Sequence, residues 1–175
     1  MKRITFLACF LAFSLLASPS KGLACRCSWG GPFLRVALNA DLIVRAKVSN
    51  YYGERYDGVK LAYDGVKLAM EVEVLEVLKG QTRAKKIRIW GDDGRHCRPY
   101  VSAFPLQTEW LFAIEKLPAD ERYPEDYYIS NCGEYWLAVK ESKVVGHIAF
   151  PRDVPSSADE KQTMSLDELR KKLTE

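Results

Sequence analysis

The stretch of the chain with the most distinctive chemistry is Ala24-Cys25-Arg26-Cys27, which stands where an export signal would be cut. If cleavage falls after Ala24, the mature chain begins at Cys25. Its first residue then carries a free α-amine beside a sulfur that can form a disulfide. We expect the rest of the chain to act as a scaffold that holds this terminus in place.

A cleavable leader is predicted over residues 1–24. An apolar run from Ile4 to Ala17 follows two basic residues, and it is too short to cross a membrane. Gly22-Leu23-Ala24 supplies the small residues that precede a cleavage site. Lipid attachment to Cys25 is the alternative, and it would block the amine, but Gly22 stands where a lipoprotein signal usually has Leu. The mature protein is therefore expected to be secreted or periplasmic, with no transmembrane segment.

The charges of the chain do not indicate a polyanionic partner. The sequence has 26 basic and 23 acidic residues, and the leader contains three of the basic ones and no acid, so the mature chain is formally neutral. No basic stripe indicates nucleic-acid binding. The length suits one domain, predicted as residues 25–150, followed by a linker and an amphipathic C-terminal helix at residues 151–175. We expect a monomer.

No catalytic motif is found, so the chain is not predicted to be an enzyme and no cofactor is expected. His96 and His147 are the only histidines, and neither belongs to a motif with a nucleophile. No Gly-rich phosphate loop is present.

The cysteines indicate disulfides. Cys25, Cys27, Cys97 and Cys132 remain after cleavage, and an even number in an exported chain is typical of paired cysteines. A Cys25–Cys27 bond would close a strained ring, so two patterns stay open, each joining the N-terminus to both later cysteines. A metal site built from these sulfurs and His96 is the rival, but the paired Cys-x-x-Cys spacing of a zinc fold is missing.

Alternating apolar residues predict a chain composed mainly of strands. Between residues 66 and 79 the alternation changes parity at Leu75, which predicts a β-bulge that bends the strand. An exact repeat, YDGVKLA, occupies Tyr56–Ala62 and Tyr63–Ala69, and Asp64-Gly65 predicts a hairpin turn there. Further strands are predicted at Asp41–Val48, Lys86–Trp90, Glu109–Lys116 and Tyr127–Cys132, with a hairpin formed by Tyr135–Val139 and Val144–Ile148. Short helices are predicted at Pro32–Asn39 and after a capping box at Ser165–Glu168.

Five strands and one bend favour an all-β-dominated fold. We predict a five-stranded Greek-key barrel of the oligonucleotide/oligosaccharide-binding (OB) type with short flanking helices. An open sandwich is the alternative.

Several motifs resemble the tissue inhibitors of metalloproteinases, whose N-terminal inhibitory domain is a netrin-like module. The similarity covers roughly Cys25 to Trp136. It is carried by Cys25-Arg26-Cys27, the run ADLIVRAK at 40–47, Leu78-Lys79-Gly80, Cys97, the strand EWLFA at 109–113, and Cys132. The Cys-x-Cys start and the ADLIVRAK run are fairly specific together and weak separately.

The resemblance implies disulfides Cys25–Cys97 and Cys27–Cys132 and a role as a stoichiometric inhibitor of a zinc metalloprotease. The α-amine and carbonyl oxygen of Cys25 would chelate the zinc of the target enzyme, and Arg26 would enter its specificity pocket. Cys27, Ser28 and the segment Arg95-His96-Cys97-Arg98 would form the surface that flanks the contact.

The chain departs from the family in three respects. It lacks the further cysteine beside the first helix and its partner, it lacks the cysteine-rich second domain, and Arg26 replaces a small hydroxyl residue. A non-inhibitory netrin-like binding module is therefore kept as the alternative, including a lipid-anchored envelope protein.

Overall fold

A computed structural model of the protein describes residues 27–53, 67–94, 96–118, 126–150 and 161–174. This part of the chain is mostly β. Its strands are β1 (Leu42–Tyr52), β2 (Ala69–Lys79), β3 (Lys86–Trp90), β4 (Glu109–Lys116), β5 (Asp126–Tyr128), β6 (Trp136–Lys140), β7 (Lys143–Gly146) and β8 (Gln162–Ser165). Its helices are α1 (Phe33–Val36) and α2 (Leu166–Thr174), with 3₁₀ turns at Ala37–Asn39 and Val101–Ala103. Within these residues, no helix has both the length and the apolar content needed to span a bilayer.

Five strands close into a barrel. The order is β1-β2-β3-β5-β4, and β4 returns to pair with β1. The pairing of β3 with β5 is parallel, whereas the other pairs in the barrel are antiparallel. This architecture confirms the predicted OB-like barrel.

One of the three register irregularities between β1 and β2 is a bulge in β2, at the position that the parity change predicts. Arg45 of β1 pairs with Glu76 while the next residue, Ala46, pairs with Val74, so Leu75 is an extra residue in β2. Such a bulge bends a strand and increases its twist. Gly80 follows β2 with a φ of +79°, and a Cβ at this position would lie 2.2 Å from the carbonyl oxygen of Asp41. Only glycine fits this close approach.

Strands β6, β7 and β8 extend the sheet beyond the barrel. One end of β4 pairs with β5 and the other end, on the same edge, pairs with β6. The predicted β6–β7 hairpin is confirmed, and its two turn residues, Glu141 and Ser142, have positive φ as in tight hairpin turns. The pairing of β8 with β7 was not predicted, because QTMS has no apolar alternation. The capping interaction is present, since the Glu168 backbone N–H donates to Ser165 Oγ at 3.2 Å.

Apolar side chains form two principal clusters, one on each face of β1 and β4. Leu42, Val44 and Ala46 point into the barrel with Phe112 and Ile114. The alternation of Leu42, Val44, Ala46 and Val48 predicts a single buried face for β1. Ile43 is also fully buried, because α1, α2 and the β6–β7 hairpin cover the outside of the barrel there. The outer cluster is formed by Phe33, Ala37, Ala40, Ile43, Leu111, Ala113, Leu137, Val144, Ile148, Leu166 and Leu169.

Of two further sequence predictions, one lies outside the described residues and the other has the wrong C-terminal end. The predicted turn at Asp64-Gly65 and the first copy of the repeat lie outside the described residues. The fifth strand was predicted to run to Cys132, but β5 ends at Tyr128. The segment after it leaves the sheet because its backbone bonds to two other segments near the disulfide, as described next.

Candidate functional site: a disulfide ridge at the barrel end

Three chain segments meet at the predicted contact surface: residues 27–30, 96–98 and 130–132. We call them the disulfide ridge. Cys27 and Cys132 form a disulfide with an S–S distance of 2.08 Å, which confirms that predicted pair. Cys97 is also disulfide-bonded. Its Sγ lies within 4.8 Å of the sulfurs of both Cys27 and Cys132, so the sulfurs of all three segments form one cluster.

Backbone hydrogen bonds hold the same segments together. The Gly30 N–H donates to the Cys132 carbonyl oxygen at 2.6 Å, and the Asn131 N–H donates to the Cys97 carbonyl oxygen at 2.9 Å. A Cβ on Gly30 would lie 2.8 Å from that Cys132 oxygen, so a glycine is required for the approach. The ridge is thus fixed by both disulfide and backbone bonds.

The structure brings together most of the predicted site residues. Cys27, Ser28 and His96 are exposed on the ridge, with Cys97 and Arg98 partly buried beside them. Cys25, Arg26 and Arg95 lie outside the described residues. The Cys25–Cys97 pair, the chelating role of Cys25 and the pocket role of Arg26 therefore stay predictions.

The charged side chains of the ridge have defined partners. His96 Nδ1 lies 2.9 Å from Asp93 Oδ1, which also accepts the His96 backbone N–H. The guanidinium of Arg98 lies 4.7 Å from the ring centre of Tyr128. Burial lowers the pKa of Arg98, although nearby acidic groups oppose this effect.

Tyr128 supports the ridge from β5, and sequence reasoning did not single it out. Its hydroxyl donates to the carboxylate of Glu115. Burial, together with this hydrogen bond and the charge of Glu115, raises the pKa of Tyr128 to about 12. The phenol is therefore protonated at neutral pH and is a hydrogen-bond donor under Arg98. No motif in the sequence marks a strand tyrosine for this role.

A largely apolar cleft of about 550 Å³ opens beside the ridge. Trp90, Leu117 and Tyr128 line it together with Cys97 and Cys132. Behind it, the Trp90 indole N–H donates to the buried Asp126 carboxylate at 2.7 Å, and Arg88 lies 3.7 Å from the same oxygen. These interactions fix the indole that forms part of the cleft wall.

The sulfur cluster does not offer metal ligands in this state. Metals bind cysteine as the thiolate, whereas Cys27, Cys97 and Cys132 are all in disulfides. His96 is directed to Asp93. The structure therefore favours the disulfide interpretation of these cysteines over the metal site.

Trp29 of the ridge forms an exposed aromatic pair with Phe150, which was not predicted. Trp29 is 56% exposed and Phe150 is 51% exposed. Their rings meet edge to face at 6.1 Å, and Arg35 lies 5.7 Å from the Phe150 ring centre. Aromatic residues with arginine are enriched at protein–protein contacts, so this pair extends the surface available to a partner.

No protein-family model matches the chain, and no curated protein matches it. The family resemblance drawn from the motifs is therefore an interpretation of the sequence alone.

Proposed function

We propose that this protein is an exported inhibitor of zinc metalloproteases, similar in mechanism to the tissue inhibitors of metalloproteinases. In this proposal Cys25 is the mature N-terminus and chelates the zinc of the target enzyme. The observation that carries the proposal is the attachment of Cys27 to Cys132 at the barrel end, with Cys97 beside it. An N-terminus two residues before Cys27 can lie no farther than about 7 Å from it.

The proposed contact requires a free α-amine on Cys25. A catalytic zinc keeps one coordination position open for water or substrate. A neutral α-amine and the adjacent carbonyl oxygen can occupy it as a five-membered chelate, and an ordinary α-amine pKa of about 7.7–8.0 leaves a useful neutral fraction. Because the ridge is already ordered, little conformational entropy is lost on docking.

In this proposal, the residues around Cys25 have roles in positioning and recognition. Arg26 would enter the specificity pocket of the protease, which favours a deep or acidic pocket. Ser28 and His96, both exposed, would contact the rim of the active-site cleft.

The test is an N-terminal extension by one residue. Mature protein beginning at Cys25 should inhibit at least one zinc endopeptidase of a panel with one-to-one stoichiometry. Adding Ala before Cys25 converts the amine to a peptide nitrogen, which is not a basic donor, so inhibition should be lost without a change in melting temperature. Adding Ala after Glu175 is the matched control and should leave inhibition intact.

Two results would reject the chelating role: inhibition of no enzyme in the panel, or equal inhibition by the form extended before Cys25. The alternative is then a non-inhibitory netrin-like binding module, for which the exposed Trp29–Phe150 pair is the candidate contact. The mass and N-terminal sequence of the mature protein would show whether Cys25 carries a lipid. A lipid on Cys25 would block the amine and indicate an anchored envelope protein.

A further inference from the structure

A second and larger cleft, of about 870 Å³, lies where the sheet extends beyond the barrel. The loop before β4 and the β6–β7 hairpin form its walls. Among the described residues, it shares no lining residue with the cleft beside the disulfide ridge, and none of the predicted site residues that the structure describes lines it. It is therefore a separate candidate site.

Two half-buried indoles, those of Trp110 and Trp136, line this cleft. Both pack edge to face on Phe104, at 5.1 and 5.5 Å between ring centres, and Phe104 is only 1% exposed. The Trp110 indole N–H also donates to Thr108 Oγ1 at 2.7 Å. The indoles are thus held by a buried ring and present a rigid aromatic surface.

Gln107 lies at the edge of the cleft with an unfavourable backbone conformation. Its φ is +65°, a left-handed value that favours glycine over a side chain such as glutamine. The loop is fixed in this position because the Gln107 N–H donates to the Val48 carbonyl oxygen and the Val48 N–H donates to the Thr108 carbonyl oxygen. An exposed amide kept at a strained position indicates a use for that side chain.

Among the residues that the structure describes, the charges around the cleft balance. Its lining contains the acids Glu109, Glu134 and Glu141 and the bases Arg45, Lys140 and Lys161. Arg45 is already paired with Glu109 at 2.9 Å, so this pair offers hydrogen-bonding groups rather than a free charge. A formally neutral rim gives no attraction for a nucleic acid or another polyanion, and its polar groups disfavour a purely apolar ligand.

We propose that this cleft binds a neutral saccharide. A sugar ring offers an apolar C–H face, which can stack on an indole, and a hydroxyl edge, which can both donate and accept hydrogen bonds. The cleft offers the matching groups: the two indoles for the face, and the amide of Gln107 and the carboxyl groups of Glu109 and Glu134 for the edge. Burial raises the pKa of Glu134, although the charge and the backbone N–H of His147 oppose this effect.

The test uses a panel of neutral hexasaccharides: cellohexaose, chitohexaose, maltohexaose and laminarihexaose. Binding is measured by isothermal titration and by tryptophan fluorescence. We expect one member to bind with one-to-one stoichiometry. A proline-rich peptide is titrated in parallel, because aromatic grooves also bind such segments.

Three variants assign the binding to the cleft. Trp136→Leu removes the stacking surface and should weaken binding about tenfold. Trp29→Leu is the matched control, an exposed tryptophan outside the cleft, and should bind like the wild type. Gln107→Gly removes the amide but relieves the left-handed strain, so binding should weaken while the melting temperature is kept or raised.

The Gln107→Gly variant separates function from folding, because lost binding in a protein that is at least as stable cannot result from unfolding. The proposal is overturned if no hexasaccharide binds, if the peptide binds in their place, or if Trp136→Leu and Gln107→Gly bind as tightly as the wild type.

Discussion

Removal of the Cys27–Cys132 disulfide is expected to destabilise the protein strongly. The two cysteines are separated by 105 residues. In the chain-entropy model, a link across a loop of this length contributes about 4.7 kcal/mol. This value is an upper limit, because Cys97 is in a disulfide of its own that already restrains the unfolded chain. A domain of this size is stable by about 5–15 kcal/mol in total, so the loss is a large fraction.

The double variant Cys27→Ala with Cys132→Ala should be compared with Ser28→Ala, an exposed neighbour on the same ridge. Urea unfolding followed by circular dichroism gives the free energy of unfolding, and thermal melts give the midpoint. The melting temperature of the double variant should fall by about 10–20 °C, whereas Ser28→Ala should change stability by less than about 0.5 kcal/mol. A loss below about 1 kcal/mol in the double variant would refute the view that this bond holds the ridge on the barrel.

Three further predictions concern the support of the barrel and its helix. Asp126→Ala should cost about 3 kcal/mol in chemical unfolding, because the Trp90 indole N–H loses its buried acceptor, and Asp126→Asn should cost less. Tyr128 should ionise near pH 12. The ionisation is followed by tyrosinate absorbance, and this component of the titration should be missing in Tyr128→Phe. The stability gained from its raised pKa should be complete below pH 10 and lost as the pH rises toward 12. Arg170→Gln removes the ion pair between Arg170 of α2 and Glu76 of β2. This should cost less than about 1 kcal/mol at neutral pH, because both side chains are partly exposed. That cost should vanish in acid, because Arg170 lowers the pKa of Glu76 and the gain is lost as Glu76 is protonated below its ordinary pKa of 4.5.

Most barrel strands could be predicted because apolar alternation depends only on residues that are close together in the sequence. The alternation in Glu109–Lys116 and Lys86–Trp90 gave both strands with their observed bounds. The parity change at Leu75 identified the extra residue in β2, but the apolar residues that follow it do not point into the barrel, because Leu75 is 42% and Val77 38% exposed.

Features that depend on distant partners were not predictable. Strand β8 exists because β7 offers a free edge, and its own residues carry no strand pattern. The burial of Ile43 on the outer face depends on α2 and the β6–β7 hairpin, which are far along the chain. At the ridge, the cysteine count anticipated disulfides, but the contact of Arg98 with Tyr128 arises only when β5 is placed beside the Cys97 segment.

Burial of both faces of β1 and β4 has a consequence for how the chain reaches this fold. Leu42–Val44 and Leu111–Ile114 are apolar on both sides, so a pairing shifted by one residue would still bury apolar groups, and hydrophobicity alone discriminates weakly against it. Polar contacts mark the native alignment instead: Asp41 Oδ2 accepts the Lys116 N–H at 2.8 Å, and Arg45 binds Glu109. A pairing of β1 with β4 shifted by one residue would lose both contacts, so they favour the native alignment where apolar burial alone does not.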